Sequence, residues 1–131
     1  MTLVCGLPNA GKTTYSERFE RVVHFDDIRA RIVSEQYDKC NRAAARSGNE
    51  VCVEGVYNTR ARREALLEAV KDQPGPKICV LVETPVDECL RREARFRRRN
   101  AGVVLYQARI FERPTYEEGW DEIITIKEDT P

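Results

Sequence analysis

The chain has 131 residues, of which 41% are hydrophobic and 34% charged, and its 22 basic residues balance its 22 acidic ones. That length holds one domain with a real core, spanning 1–131, and leaves no space for a second catalytic unit; zero net charge excludes a polycation that coats nucleic acid nonspecifically, so any attraction to phosphates is local. No apolar run approaches the roughly 18 residues of a membrane helix, and a strand beginning at the initiator methionine leaves no room for a signal or transit peptide, so a cytoplasmic protein with no membrane partner is expected.

In chain order, Thr2-Leu3-Val4-Cys5 reads as a short buried strand. It runs into Gly6-Leu7-Pro8-Asn9-Ala10-Gly11-Lys12-Thr13, a match to G-x-x-x-x-G-K-[ST]. In such a loop the backbone N–H groups surround two phosphates, the lysine reaches the outer ones and the hydroxyl holds Mg²⁺. Residues 14–20, with Tyr15 and Phe19 on one face, supply the helix that the motif requires. The loop residues Gly6, Pro8, Asn9, Ala10, Gly11, Lys12, Thr13 and Thr14 are therefore the expected nucleoside triphosphate contacts, with Thr13 as the metal ligand.

Residues 21–25 form a second short strand ending in Asp26-Asp27-Ile28-Arg29. In an open α/β sheet ligands lie beyond the carboxyl ends of strands, so Asp26 or Asp27 faces the crevice of the phosphate loop, unless the pair serves only to cap the next helix. That helix starts at Ile28, carries Ile32, Val33, Tyr37, Cys40 and Ala44 at helical spacing, and stops at Ser47-Gly48-Asn49. Residues 51–53 are a third strand, followed by the loop Glu54-Gly55-Val56-Tyr57-Asn58. Asn58 or Thr59 caps a helix whose expected apolar stripe is Ala61, Ala65, Leu66, Ala69 and Val70, and Gln73-Pro74-Gly75-Pro76 breaks the chain.

Residues 77–83 contain an unbroken apolar run, the mark of a strand buried on both faces. Thr84-Pro85-Val86-Asp87 announces a helix with a capping threonine and proline at its first position. Six of the nine residues from Arg91 to Arg99 are arginine, with Arg91 and Arg95 on one face and Arg98 and Arg99 on neighbouring ones. Such a run is either a solvated cationic face or, because so few glutamates balance it, a surface that awaits anions. Asn100-Ala101-Gly102 ends this helix; Val104, Leu105, Ala108 and Phe111 define another, halted at Arg113-Pro114. Residues 120–126 make the last strand and 128–131 a tail. Cys5, Cys52 and Cys79 lie in apolar strands and no C-x-x-C pair exists, so the five cysteines read as small buried hydrophobes. Strands alternating with helices give an α/β fold, a five-stranded mostly parallel sheet with helices on both faces in three layers.

No D-x-x-G follows a strand and no N-K-x-D occurs, which removes a GTPase, and a motor or AAA-type ATPase calls for a longer chain. A small kinase remains, needing a donor cradle, Mg²⁺, a carboxylate that deprotonates the attacking hydroxyl, and cations for the transferred charge. The arrangement resembles the P-loop 5′-hydroxyl polynucleotide kinases, of the phage end-healing type and of the kinase half of polynucleotide kinase 3′-phosphatases. In that family a D-x-x-R after the second strand carries the general base and an arginine that grips the acceptor's phosphate; the resemblance implies these roles for Asp26 and Arg29. Its lid helix has two arginines four apart, implying donor-phosphate contacts by Arg91 and Arg95, and Phe111-Glu112-Arg113-Pro114-Thr115 with Glu118-Gly119-Trp120 is similar to its F-E-x-P-T and E-G-F segments. The family's D-x-T-N after the third strand is replaced here by Glu54-Gly55-Val56-Tyr57-Asn58, which leaves Glu54 and Asn58 outside the assigned set.

The resemblance thus implies a P-loop kinase-like fold and a kinase that uses ATP or another NTP with Mg²⁺ to phosphorylate a nucleic acid bearing a 5′-hydroxyl end. Lys12, Asp26, Arg29 and Arg95 are the implied catalytic residues. No phosphatase D-x-D-x-T motif is present, so end trimming is not expected. Two other readings share the phosphate loop: a kinase for a small-molecule or aminoacyl-tRNA hydroxyl, and a nucleotide-binding module without catalysis. Arginine density around the acceptor side favours a chain of phosphates over a neutral alcohol.

Overall fold

The computed structural model describes residues 1–127. Five strands, β1 (Thr2–Cys5), β2 (Val22–His24), β3 (Cys52–Glu54), β4 (Ile78–Glu83) and β5 (Glu122–Lys127), form one sheet in the order β2-β3-β1-β4-β5. Every pairing is parallel, from β2 on β3 to β4 on β5, so the expected mostly parallel sheet is wholly parallel. Parallel neighbours demand crossover helices, and these cover both faces.

Side-chain alternation along the strands divides the core in two. Leu3, Cys5, Val53, Cys79 and Leu81 point to one face, where they meet Tyr37, Cys40 and Ala44 of α2 (Val33–Arg46) and Leu66 of α3 (Arg60–Ala69), with Val70 just beyond it. Val4, Cys52, Val80 and Val82 point to the other face, against Cys89 of α4 (Val86–Phe96) and Val104 of α5 (Ala101–Ile110), with Tyr15 of α1 (Lys12–Ser16) packed beside them. All five cysteines are buried free thiols, as expected of small apolar fillers; burial pushes Cys40 up to about 11 and Cys52 up to about 12.

Several boundaries differ from the sequence reading, each for a local reason. α1 is five residues long rather than seven, and α2 starts at Val33 rather than Ile28 because Ile32 holds an extended φ of −134°. A 3₁₀ turn at Phe25–Asp27 follows β2, so neither aspartate caps α2. Thr59 caps α3 by accepting from the Arg62 N–H, while Asn58 donates instead to Gln107 Oε1 at 2.7 Å. Thr84 does not cap α4: its hydroxyl donates to the Ala10 carbonyl at 2.6 Å, tying the end of β4 to the phosphate loop. Asn100 opens α5 by accepting from the Val103 N–H, and α4 ends earlier, at Arg97 with φ 51°. The expected tail at 128–131 lies outside the described residues.

The α3 stripe also differs: Ala61, Ala65 and Ala69 are exposed, and the inward face carries Arg63 and Leu66. Arg63 is fully buried, donating to both Glu118 oxygens at 2.8 and 3.0 Å and to the Tyr57 carbonyl at 2.8 Å. Burial pushes Glu118 up, but the Arg63 and Trp120 hydrogen bonds outweigh it and hold the carboxyl below its usual range. This pair fixes the loop that follows β3.

Candidate active site

The carboxyl ends of β1, β2, β3 and β4 meet at one edge of the sheet, and there a cavity of about 450 Å³ opens. Among the described residues its lining is Asn9, Gly11, Lys12, Thr13, Thr14 and Glu17 from the first loop and helix, Asp26 after β2, Glu54 at the end of β3, and Arg92, Phe96, Arg98 and Arg99 from α4 and its connection to α5.

The phosphate loop owes its shape to its glycines. A Cβ on Gly6 would stand 2.5 Å from the Val82 carbonyl, closer than any side chain tolerates, and Gly11 enters α1 at φ 107°. Ala10 N–H bonds back to the Leu7 carbonyl at 3.1 Å, whereas the N–H groups of Gly11, Lys12, Thr13 and Thr14 meet no backbone acceptor among the described residues. Four consecutive unpaired donors at a cavity wall form a nest for anionic oxygens. Lys12 is buried, its Nζ donating to the Leu7 carbonyl at 2.7 Å. Burial holds its pKa below the ordinary lysine value against the pull of Glu54.

Glu54, only 5% exposed, accepts from Thr13 Oγ1 at 2.9 Å and lies 2.9 Å from His24 Nδ1, both contacts falling on Oε1. A hydroxyl and a carboxylate side by side at a phosphate nest are the donor set that P-loop enzymes use for Mg²⁺, which takes few protein oxygens and keeps waters and phosphate oxygens. Thr13 and Glu54 fit that ion. Backbone strain sits beside Glu54: Tyr57 adopts φ 38°, held by its hydroxyl donating to Asn41 Oδ1 at 2.7 Å and by Arg63 on its carbonyl.

Of the aspartate pair, Asp26 lines the cavity and Asp27 does not. Asp26 is 66% exposed and its Oδ2 accepts from Arg99 Nη2 at 2.8 Å, a bridge from the acid after β2 to the segment after α4. Of the remaining assigned residues, Gly6, Pro8 and Ala10 are buried beneath the loop, and Arg29 is an exposed residue outside the lining whose carbonyl accepts from Lys39.

Arg91 and Arg95 stand outside this lining. Arg91 is 59% exposed and engages Glu88 at 2.8 Å, Arg95 lies 5.4 Å from the Phe96 ring, and neither lines the cavity. The inward face of α4 is set by its buried acids: Glu88 also holds Arg92 at 2.9 Å, and Glu93 accepts from Asn9 Nδ2 at 3.0 Å. Arg92 then donates to the Asn9 carbonyl at 2.8 Å. Glu88 is held below the usual carboxylate range chiefly by Arg91, and Glu93 chiefly by Asn9. Helical spacing from Cys89 through Arg92 and Glu93 to Phe96 was the signal that identifies this face. The lining thus carries four cations (Lys12, Arg92, Arg98, Arg99) against three carboxylates (Glu17, Asp26, Glu54).

Residues 1–114 match a protein family described as an AAA domain. The chain belongs to that family. Chain length therefore does not exclude a family of that description. No curated protein matches the chain in sequence. Among solved structures it is similar to a gluconokinase from Sinorhizobium meliloti 1021 (16% identity, TM-score 0.75, covering 99% of this chain and 83% of that one). It is also similar to Chaetomium thermophilum Kti12 in complex with ADP-AlF3 (18%, 0.72, 98% and 89%) and to the Mycobacterium tuberculosis APS kinase CysC in complex with AMPPNP and APS (17%, 0.65, 95% and 87%). At these identities the likeness is one of fold, and the fold of this AAA-domain member is that of the P-loop kinases. No helix among the described residues is long and apolar enough to cross a membrane.

Proposed function

We propose that this protein is an ATP-dependent kinase that transfers the γ-phosphate to the 5′-hydroxyl end of a polynucleotide. One observation carries the reading: a single cavity is lined by a phosphate nest with its lysine, by a solvent-reachable carboxylate after β2, and by three arginines from one helix and its following turn. A module that only binds nucleotide has no use for that carboxylate.

In the proposed reaction the acceptor oxygen attacks the γ-phosphorus in line, the new O–P bond forms as the β–γ bridging O–P bond breaks, and ADP leaves. Asp26 takes the acceptor's proton. The N–H groups of Gly11 to Thr14 and the Lys12 ammonium hold the donor phosphates, and Arg92, Arg98 and Arg99 of the lining join Arg91 and Arg95 in neutralising the transferred charge. Thr13 and Glu54 would hold Mg²⁺, which when bound neutralises charge on the β- and γ-phosphates. Arg29, three residues after Asp26, is the acceptor-phosphate contact in this scheme.

A second reading has its own support. The similar structures include kinases named for gluconate and APS, so a small-molecule hydroxyl acceptor fits the same cavity. Radiolabelled ATP offered to 5′-hydroxyl RNA, 5′-hydroxyl DNA and a panel of small alcohols separates the two. Label is expected in oligonucleotides with a free 5′ end and in none already phosphorylated there; label in a small alcohol alone rejects the polynucleotide reading and keeps the kinase.

A further inference from the structure

Apart from Gly11, which has no side chain, the cavity lining is polar or charged at every position but one among the described residues. Phe96 is its sole apolar side chain among the described residues, and it is 53% exposed. It does not belong to either core layer, although Cys89 and Leu90 of the same helix do. It is the last residue of α4, directly before Arg97 in the left-handed conformation, so no further helical turn covers it. Arg95 and Arg98 stand near its ring, at 5.4 and 5.8 Å from the centroid. A flat apolar ring on the rim of a phosphate nest, with guanidinium groups near it, presents a face to a π-system and cations to the phosphates attached to it.

We propose that Phe96 is a nucleobase-stacking platform. Any ligand held by the phosphate nest that also carries a flat heterocycle finds, among the described residues, only this ring in the cavity to stack on. The base comes either from the donor nucleotide or from the terminal nucleoside of a polynucleotide acceptor, and Phe96 selects nucleotides over bare polyphosphates in the first case and over abasic ends in the second. This rests on the nucleotide-binding part of the proposed function and not on the identity of the acceptor.

The test is calorimetric titration of the full chain and of its F96A and F96W variants with ATP, inorganic tripolyphosphate, a 5′-hydroxyl oligonucleotide and the same oligonucleotide with an abasic 5′ residue. F96A is expected to weaken ATP about 5- to 100-fold while leaving tripolyphosphate within twofold, with F96W restoring ATP binding. If ATP is unchanged and only the oligonucleotide with a 5′ base weakens, the platform stands and the base is the acceptor's. Equal weakening of ATP and tripolyphosphate overturns the proposal, because Phe96 then only shapes the rim, and so does F96A binding every ligand as the unaltered protein does. An unaltered protein that binds neither ATP nor tripolyphosphate refutes the nucleotide reading and this inference with it, a result distinct from the others because it appears before any variant is made. The exposure of Phe96 predicts an unchanged melting temperature, which checks that the variants fold.

Discussion

Asp26→Ala separates chemistry from stability more cleanly than any other change at the site. Asp26 is 66% exposed and paired with Arg99, itself 27% exposed, at 2.8 Å. An ion pair so open to water contributes about 0–1 kcal/mol, and in a domain of this size that moves the melting temperature by no more than about 4 °C. A positioned general base contributes about 10²- to 10⁴-fold in rate, equivalent to roughly 2.7–5.5 kcal/mol of transition-state stabilisation. The rate loss therefore exceeds anything the lost ion pair explains. Single-turnover transfer from labelled ATP, with ATP affinity measured by calorimetry, reads the two effects apart: transfer falls at least a hundredfold and ATP affinity stays within a few-fold. Arg99→Ala is the control, since it breaks the same ion pair and keeps the carboxylate. Transfer by Asp26→Ala within threefold of the unaltered protein refutes the base assignment. Equal losses in the two variants, tracking ATP affinity, mean that the pair works by holding Arg99 in place.

Glu54→Gln preserves the Thr13 contact but removes the charge; the Mg²⁺ concentration for half-maximal transfer should rise about 10- to 100-fold, and superimposable magnesium titrations would exclude Glu54 as a ligand. Lys12→Met should abolish donor binding and yet leave the ligand-free melting temperature unchanged or raised. The folded-state pKa of Lys12 is lowered by burial, so the unfolded chain binds this proton more readily, and the buried charge costs stability in full below the folded value, a cost relieved as pH rises from there to the unfolded one; a thermal-shift assay with and without ATP checks both halves. Glu118→Ala leaves Arg63 buried and unpaired and should cost about 3–5 kcal/mol in urea unfolding, most of it recovered in the Arg63→Met/Glu118→Leu double variant. Because Glu118 is held below the usual range in the folded state, its contribution is complete above the unfolded carboxylate value and lost as pH falls through the folded one. Glu118→Gln should accordingly flatten that part of the acid limb of the stability profile.

The strand–loop–helix around Gly6 to Thr13 was legible because the motif demands a particular backbone, and the order of strands and helices was legible because apolar runs and breakers alternate along the chain. What sequence spacing missed depends on partners distant in sequence. Arg63 reads as one more charge on a polar helix, and it takes the Glu118 carboxylate, 55 residues on, together with the Tyr57 carbonyl, to make its burial possible. Thr84 looks like a cap until the Ala10 carbonyl, 74 residues earlier, claims its hydroxyl. Glu54 departs from the aspartate of the resembled motif, yet the register that sets it beside the end of β1 brings it within reach of Thr13. On α4 the arginine spacing draws the eye to Arg91 and Arg95, while the face turned inward is the one where Glu88, Cys89 and Glu93 are buried.

That rotation explains how a helix with so many arginines holds its place before any phosphate arrives. Like charges at helical spacing repel, and the two buried glutamates answer this from within: Glu88 takes Arg91 and Arg92, while Glu93 accepts from Asn9 and from the Arg99 N–H at 2.7 Å. Asn9 is held twice, through its amide by Glu93 and through its carbonyl by Arg92, and its left-handed φ of 66° is one that asparagine tolerates better than most residues. The phosphate loop and the arginine helix are thereby one mechanical unit. Anions entering the nest meet guanidinium groups already oriented, so less ordering is left to be done when charge develops on the transferred phosphoryl group. Arg99, a lining cation, is tied to the acid after β2, which makes the Asp26–Arg99 bridge a contact that, in the proposed reaction, donor phosphates and an acceptor hydroxyl would both compete to replace.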